Sequence, residues 1–229
     1  MDFSEALKSF KPFDRMKSCK IEREVEDIYN EGISFYFSGS DIKHPFECDG
    51  FLSTSIGCGN VLKMIIEYKY NEDMKQKSAI AKVLVQVVFY LKRFEDAGME
   101  LPNVVMVGDI NECFVMHSND VLKYPDWNDN GKIAPSEAYK KCNEMGLGIV
   151  EDESINPYVF WIDESFDFKD VIEKIRSLCE NVKRYVRITE HNIASIFEYF
   201  RDRVLIKKDA LTANELVTVF IGLIANDDS

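Results

Sequence analysis

Two hydrophobic periods alternate along this chain and divide it into strands and helices. From Val61 to Tyr70 the period is two: Leu62, Met64, Ile66 and Tyr68 share one face, while Glu67 and Lys69 leave by the other. Just upstream, Asp49 to Ile56 reads as a strand and Gly57-Cys58-Gly59-Asn60 as a hairpin turn, a pairing that folds Asp49 back beside Glu67. From Ile80 the spacing becomes helical, with Val83, Leu84, Val87, Val88, Leu91 and Phe94 as the buried stripe. Lys82, Gln86, Tyr90 and Arg93 fall along a different edge of that helix. An earlier helix carries its stripe on Ile21, Val25, Ile28 and Tyr29. Asn103 to Val107 predicts a buried strand, Gly108 to Asn111 a turn, and Glu112 to His117 a return strand. The second half is mostly helical by pattern. One helix is expected from about Phe168 to Tyr185, another opens at Thr189, and a last one follows the capping box Thr212-x-x-Glu215.

Length and composition bound this layout without changing it. A chain of 229 residues can bury a real core, and the pattern places one domain over residues 1 to about 124 with a mainly helical extension or linker from 125 to 229. Hydrophobic residues make up 46% and charged residues 30%, the balance of a soluble globular protein. Met1-Asp2-Phe3-Ser4-Glu5 lacks the basic-then-apolar start of a leader, and no stretch is long enough to span a bilayer, so a cytoplasmic protein with no membrane partner is expected. The end beyond the last helix suits a complete small protein or a piece of a longer one. The six cysteines show no CxxC pair and no zinc-ligand spacing, which predicts reduced, buried thiols. His44, His117 and His191 have no catalytic spacing.

Glu67 and Lys69 are where chemistry enters. A carboxylate and an ammonium side by side on one strand face suit a centre in which an oxygen ligand holds a hard divalent cation and a neighbouring cation orients an attacking water. In order of parts, the chain resembles the PD-(D/E)XK nuclease superfamily, restriction-endonuclease-like α/β proteins whose core runs helix, three strands, helix, strand. In that family the Asp opens the second strand and the Glu-x-Lys closes the third. Cys48 stands where the family name has Pro. Gln86-x-x-x-Tyr90 resembles the Gln-x-x-x-Tyr motif of one branch, in which the Gln helps hold the site and the Tyr faces nucleic acid. Glu22-x-x-Val25-x-x-Ile28-Tyr29-x-x-Gly32 resembles the first helix of Mrr-like restriction nucleases, whose Glu points at the metal and whose Gly ends the helix. By position around the helix alone, Glu22 and Glu24 are equal candidates and Glu26 is a third.

The resemblance implies hydrolysis of DNA phosphodiesters with Mg2+, for which Mn2+ can substitute. Asp49 and Glu67 are the expected metal ligands, Lys69 the charge-stabilising cation, and Gln86, Tyr90 and Glu22 supporting residues. The whole chain also resembles the region that precedes N6-adenine methyltransferase domains in single-chain restriction-modification proteins, which implies a specificity and methylation module on the same polypeptide. Lys69 is expected to serve chemistry and to add little to stability.

A formal charge of -12 argues against a double-stranded DNA partner, because phosphate contacts by Lys and Arg drive most of that affinity. The distribution is uneven: residues 144 to 173 hold nine acids against Lys169, whereas residues 181 to 208 hold seven bases against three acids. Arg201, Arg203, Lys207 and Lys208 in that segment, with Lys82 and Arg93, are the candidate DNA contacts, unless the basic segment pairs with the acidic one. Two strings compete for attention. Asp126 to Glu137 satisfies the EF-hand loop pattern for Ca2+, but Pro125 directly before it and the lack of a second loop argue against that site. Asn156-Pro157-Tyr158 is similar to the Asn-Pro-Pro-Tyr of adenine methyltransferases but lacks the second Pro and a glycine-rich cofactor loop. The rival reading from another class is a nuclease-fold interaction domain that has lost cleavage, and the joint presence of Asp49, Glu67, Lys69 and Gln86 disfavours it.

Overall fold

A computed structural model describes residues 9–57, 60–124 and 155–180, with Glu137, Lys140, Ile149 and Asp152 standing singly. Two compact units divide the chain, Met1–Phe94 with Glu100–Val186 and Glu95–Met99 with Arg187–Ser229. Apart from the end of one helix, everything below belongs to the first. Its elements are α1 (Phe13–Ser18), α2 (Glu22–Tyr36), β1 (Ile42–Lys43), a 3-10 turn (Pro45–Glu47), β2 (Gly50–Gly57), β3 (Asn60–Tyr68) and α3 (Lys77–Asp96). After these come β4 (Val104–Gly108), β5 (Glu112–His117), α4 (Asn119–Leu122), β6 (Tyr158–Trp161) and α5 (Phe168–Glu180).

The strands form one mixed sheet in chain order, β1 to β6, antiparallel at every step except β3 to β4. That parallel step follows from α3, which carries the chain from the end of β3 back to the start of β4. The side-chain period fixes the β2–β3 register. Gly50 opposes Ile66 and Leu52 opposes Met64, so the apolar residues of both strands meet on the same faces. On one face Leu62, Met64, Ile66 and Tyr68 of β3 pack with Val25, Ile28, Tyr29 and Ile33 of α2 and Phe168, Val171, Ile172 and Ile175 of α5. On the other, Ile65, Val105, Val107 and Phe114 pack with the α3 stripe of Val83, Leu84, Val87, Val88, Leu91 and Phe94. Central β4 is buried on both sides, which is why it reads as the unbroken run Val-Val-Met-Val.

Two expectations need correction. The sheet does not end near residue 124: β6 pairs with β5, Glu112 opposite Trp161 and Val115 opposite Tyr158, and α5 fills the same core as α2. The alternation that betrays a half-buried strand is missing from β6, because Tyr158, Val159 and Trp161 are all exposed. Nor does Gly32 end α2, which continues to Tyr36. A Cβ at Gly32 would stand 2.9 Å from the Phe168 ring, so the glycine lets α5 approach closely. The Asp126–Glu137 loop apart from Glu137, the helices expected after Thr189 and Thr212, and Arg201, Arg203, Lys207 and Lys208 lie outside the described residues. Among the described residues, no helix is long and apolar enough to cross a membrane.

Gly108 at the end of β4 meets the most crowded point of the layer. A Cβ there would lie 2.5 Å from the ring of Tyr29, which is 1% exposed and donates its hydroxyl hydrogen bond to the Asp109 carbonyl at 2.9 Å. Gly108→Ala should therefore cost about 1–3 kcal/mol by overpacking. Urea denaturation would measure the cost, and an unchanged midpoint would rule out this contact as a constraint.

Candidate functional site

The candidate centre lies where β3 ends, between the start of β2 and the end of β4. Because Gly50 opposes Ile66, one further step brings Asp49 level with Glu67, and Asp49 Oδ2 accepts the Tyr68 N–H at 2.8 Å. The Lys69 N–H donates to the Gly108 carbonyl at 2.9 Å, extending the parallel pairing past the strand's end. The Lys69 side chain then turns back: Nζ donates to Glu67 Oε1 at 2.6 Å and to the Tyr68 carbonyl at 2.7 Å. Glu67 is 2% exposed and Lys69 9%. Glu67 Oε2 is buried and has no hydrogen-bond partner among the described residues.

Burial sets the electrostatics. Desolvation pushes the Glu67 carboxyl up to about 7; Lys69 pulls it down, while Asp49 and Glu22 push it further up. For Lys69, desolvation acts downward, yet the attraction of Glu67, Asp49 and Glu22 outweighs it and the ammonium ends above its ordinary value. Glu22 stands at the rim, its side chain exposed. Its carboxyl is raised first by the protein crowding it, with Lys69 opposing and Asp49 reinforcing the shift. The structure thus separates Glu22 from Glu24. Glu22 interacts with Asp49 and Lys69, whereas Glu24 accepts the Lys20 N–H at 2.6 Å near the helix start.

The α3 edge contributes unequally. Tyr90 is buried, and its phenol is raised by desolvation and then by Glu67 and Asp49, which places it in the field of the same carboxylates. Its hydroxyl donates to the Glu47 carbonyl at 3.4 Å. Gln86, one turn earlier, is half-buried, and its Oε1 has no hydrogen-bond partner among the described residues. Lys82 is paired with Glu72 at 3.1 Å, and the Arg93 guanidinium lies over the Phe89 ring at 4.8 Å. Both expected DNA contacts on this helix are therefore engaged with their own surroundings. Phe46 and Glu47, just before Asp49, have φ of 57° and 64°, a left-handed turn costly for residues with a Cβ. The Phe46 ring against Phe94, 5.2 Å between centroids, and the Tyr90 bond to Glu47 hold it.

Among the described residues no three His, Cys, Asp or Glu side chains form a metal-binding group. The centre offers a pair, Asp49 and Glu67, with one buried oxygen that has no partner among the described residues. That fits Mg2+, which is commonly held by one or two carboxylates and completes its shell with waters and substrate phosphates. Two participants escaped the sequence reading. Asp109 was part of an anonymous turn, but its carboxylate accepts from the N–H groups of Glu72 at 3.1 Å and Asn111 at 3.0 Å, tying the segment after β3 to the β4–β5 turn. An Asx turn at Asp109 was the available signal. Glu72, the partner of Lys82, gave none. Comparison with known proteins adds no relative: no family model, curated protein or solved structure matches the chain.

The ion pair revises what Lys69 does for stability. Because the folded-state value of Glu67 lies above its ordinary value, its stabilising contribution is complete below about pH 4.5 and is lost as pH rises through about 7. Removing Lys69 leaves a carboxylate that can take a proton at pH 6 but must stay charged and buried at pH 9. Lys69→Ala should therefore be destabilising by roughly 1–3 kcal/mol more at pH 9 than at pH 6, and Lys69→Ala combined with Glu67→Gln should lose that pH dependence. Equal losses at both pH values would refute the coupling.

Proposed function

We propose that this chain is a Mg2+-dependent nuclease of the PD-(D/E)XK kind that hydrolyses DNA phosphodiesters. The observation that carries the reading is the meeting of Asp49, Glu67 and Lys69 at the end of β3, with Lys69 Nζ on one oxygen of Glu67 and the other oxygen buried and without a partner among the described residues. The order of elements through α2, β1 to β3, α3 and β4 supports it, since it is helix, three strands, helix, strand. When bound, Mg2+ or Mn2+ would supply charge neutralisation of the phosphate and a more acidic water. Asp49 and Glu67 would hold it, and Glu22 at the rim would add an outer carboxylate.

Among the proposed roles, that of Lys69 has the most support from the geometry. Its ammonium is held above its ordinary value by three carboxylates, so it stays charged at neutral pH and offers a fixed cation to a phosphate on which negative charge develops. Gln86 Oε1, without a hydrogen-bond partner among the described residues, is an acceptor that can orient a water, and Tyr90 buttresses the turn that delivers Asp49. We read the protein as the cutting part of a restriction-modification polypeptide, with recognition and methyl transfer in another module. The net charge of -12 agrees with weak engagement of DNA by this chain alone.

Relaxation of supercoiled plasmid in Mg2+ or Mn2+, with metal binding followed by calorimetry, tests the reading. The wild-type chain should nick without strong sequence preference. Asp49→Asn and Glu67→Gln should each weaken metal binding, and each of these and Lys69→Ala should slow nicking by about a hundredfold or more. Metal binding unchanged in both carboxylate variants, or folded wild type inert with either ion, would reject it and favour a non-catalytic nuclease-fold domain.

A further inference from the structure

A concavity opens along the sheet, at the β5–β6 edge. It is a pocket of about 490 Å³ lined by Asn71, Glu72, Asp73, Lys75, Glu112 and Trp161, with Asn111, Ile162 and Asp163 completing the wall. Its size falls in the range of small-molecule sites, about 300–1,000 Å³. Four of its residues are acids and one is a base. Glu112 and Trp161 are direct cross-strand partners, so the carboxylate and the indole leave the sheet side by side on one face.

Acid clusters are common, but two further features mark this one. Glu112 is 3% exposed although it lines the pocket, and its Oε2 is buried without a hydrogen-bond partner among the described residues. A carboxylate oxygen withdrawn from water and left unmatched is costly, and a charged donor is what matches it. Trp161 is 51% exposed, and the ammonium of Lys75 already rests over its ring, 5.1 Å from the centroid. An intramolecular amine thus occupies one face of the aromatic wall, a contact of the cation–π kind. Among the described residues the carboxylates of the wall do not gather into a three-ligand metal group. Carboxylates without such a shared focus suit charges distributed along a flexible chain better than a single compact ion.

We propose that this pocket binds a linear polyamine, with one primary ammonium taken by Glu112 and Trp161 in the place Lys75 now shares and the remaining cationic groups facing Asp73 and Asp163. Recognition is by charge and by the indole face. The proposal is independent of the nuclease reading, because it uses neither Asp49 nor Glu67.

Calorimetric titration of the full chain with spermidine at physiological ionic strength is the test, with circular dichroism to confirm that each variant is folded. One saturable site is expected. Glu112→Gln, an isosteric change, should weaken it at least about tenfold, and Trp161→Ala by about two- to fivefold. Lys75→Gln removes the internal competitor and should tighten binding by about two- to fivefold. Binding of many equivalents that is indifferent to Glu112→Gln and Trp161→Ala would reduce the effect to diffuse attraction by an acidic protein and overturn the site. Saturable Mg2+ binding lost in Glu112→Gln, with no spermidine binding in wild type, would overturn it in favour of a metal.

Discussion

The Lys69 ammonium against Glu67 Oε1 is the contact on which the site's architecture depends. A carboxylate 2% exposed at the end of a central strand is expensive to keep charged, and an isolated buried ammonium is equally so. Held 2.6 Å apart, each offsets much of the other's desolvation, although burial still leaves Glu67 at about 7. Their backbone has no freedom to adjust. Tyr68 between them gives its N–H to Asp49, Lys69 gives its own to Gly108, and the Tyr68 ring is buried on the opposite face. Three consecutive residues are pinned by β2, β4 and the α2 layer at once, so the charges are placed by the sheet and not by a mobile loop.

Two acidic places share the face of the sheet that α3 covers. The centre at Asp49 and Glu67 contains its own cation in Lys69; the pocket at Glu112 borrows one from Lys75 across an exposed indole. The same chemical problem, a carboxylate removed from water, therefore has a short-range solution at one and an incomplete solution at the other. That difference is why the two ligands proposed are different: a compact hard ion with a phosphate at the first, an extended organic cation at the second.

Much of the first unit was legible because its signals are local. The β3 alternation separated Leu62, Met64, Ile66 and Tyr68 from Glu67, and the two core clusters divide along that line. The α3 stripe is buried as its spacing implies, and β4 and β5 fall within a residue of their expected bounds. What the pattern missed depends on long-range partners. β6 has too short and too exposed a run to show a period, and its identity as a strand comes from β5. Gly32 resembled a helix stop because a glycine's role cannot be read without knowing that Phe168 lies against it. At the site, the pairing of Asp49 with Glu67 followed from hairpin register, whereas the choice of Glu22 over Glu24 required the direction in which each side chain leaves α2. Lys82 showed a basic edge in sequence, and only the fold supplied Glu72 to neutralise it.

The left-handed turn at Phe46 and Glu47 links the hydrophobic core to the geometry of Asp49. Phe46 is locked to Phe94, and the Glu47 carbonyl to Tyr90, both on the inner side of α3. Two residues later the chain delivers the aspartate. A rotation or shift of α3 would thereby bear on the position of that carboxylate through the left-handed turn at Phe46 and Glu47. The helix acts as the mount for an instrument: its packing sets the alignment tolerance of the centre. Substitutions deep in the stripe of Leu91 and Phe94 would detune that alignment while leaving every charged residue in the sequence unchanged.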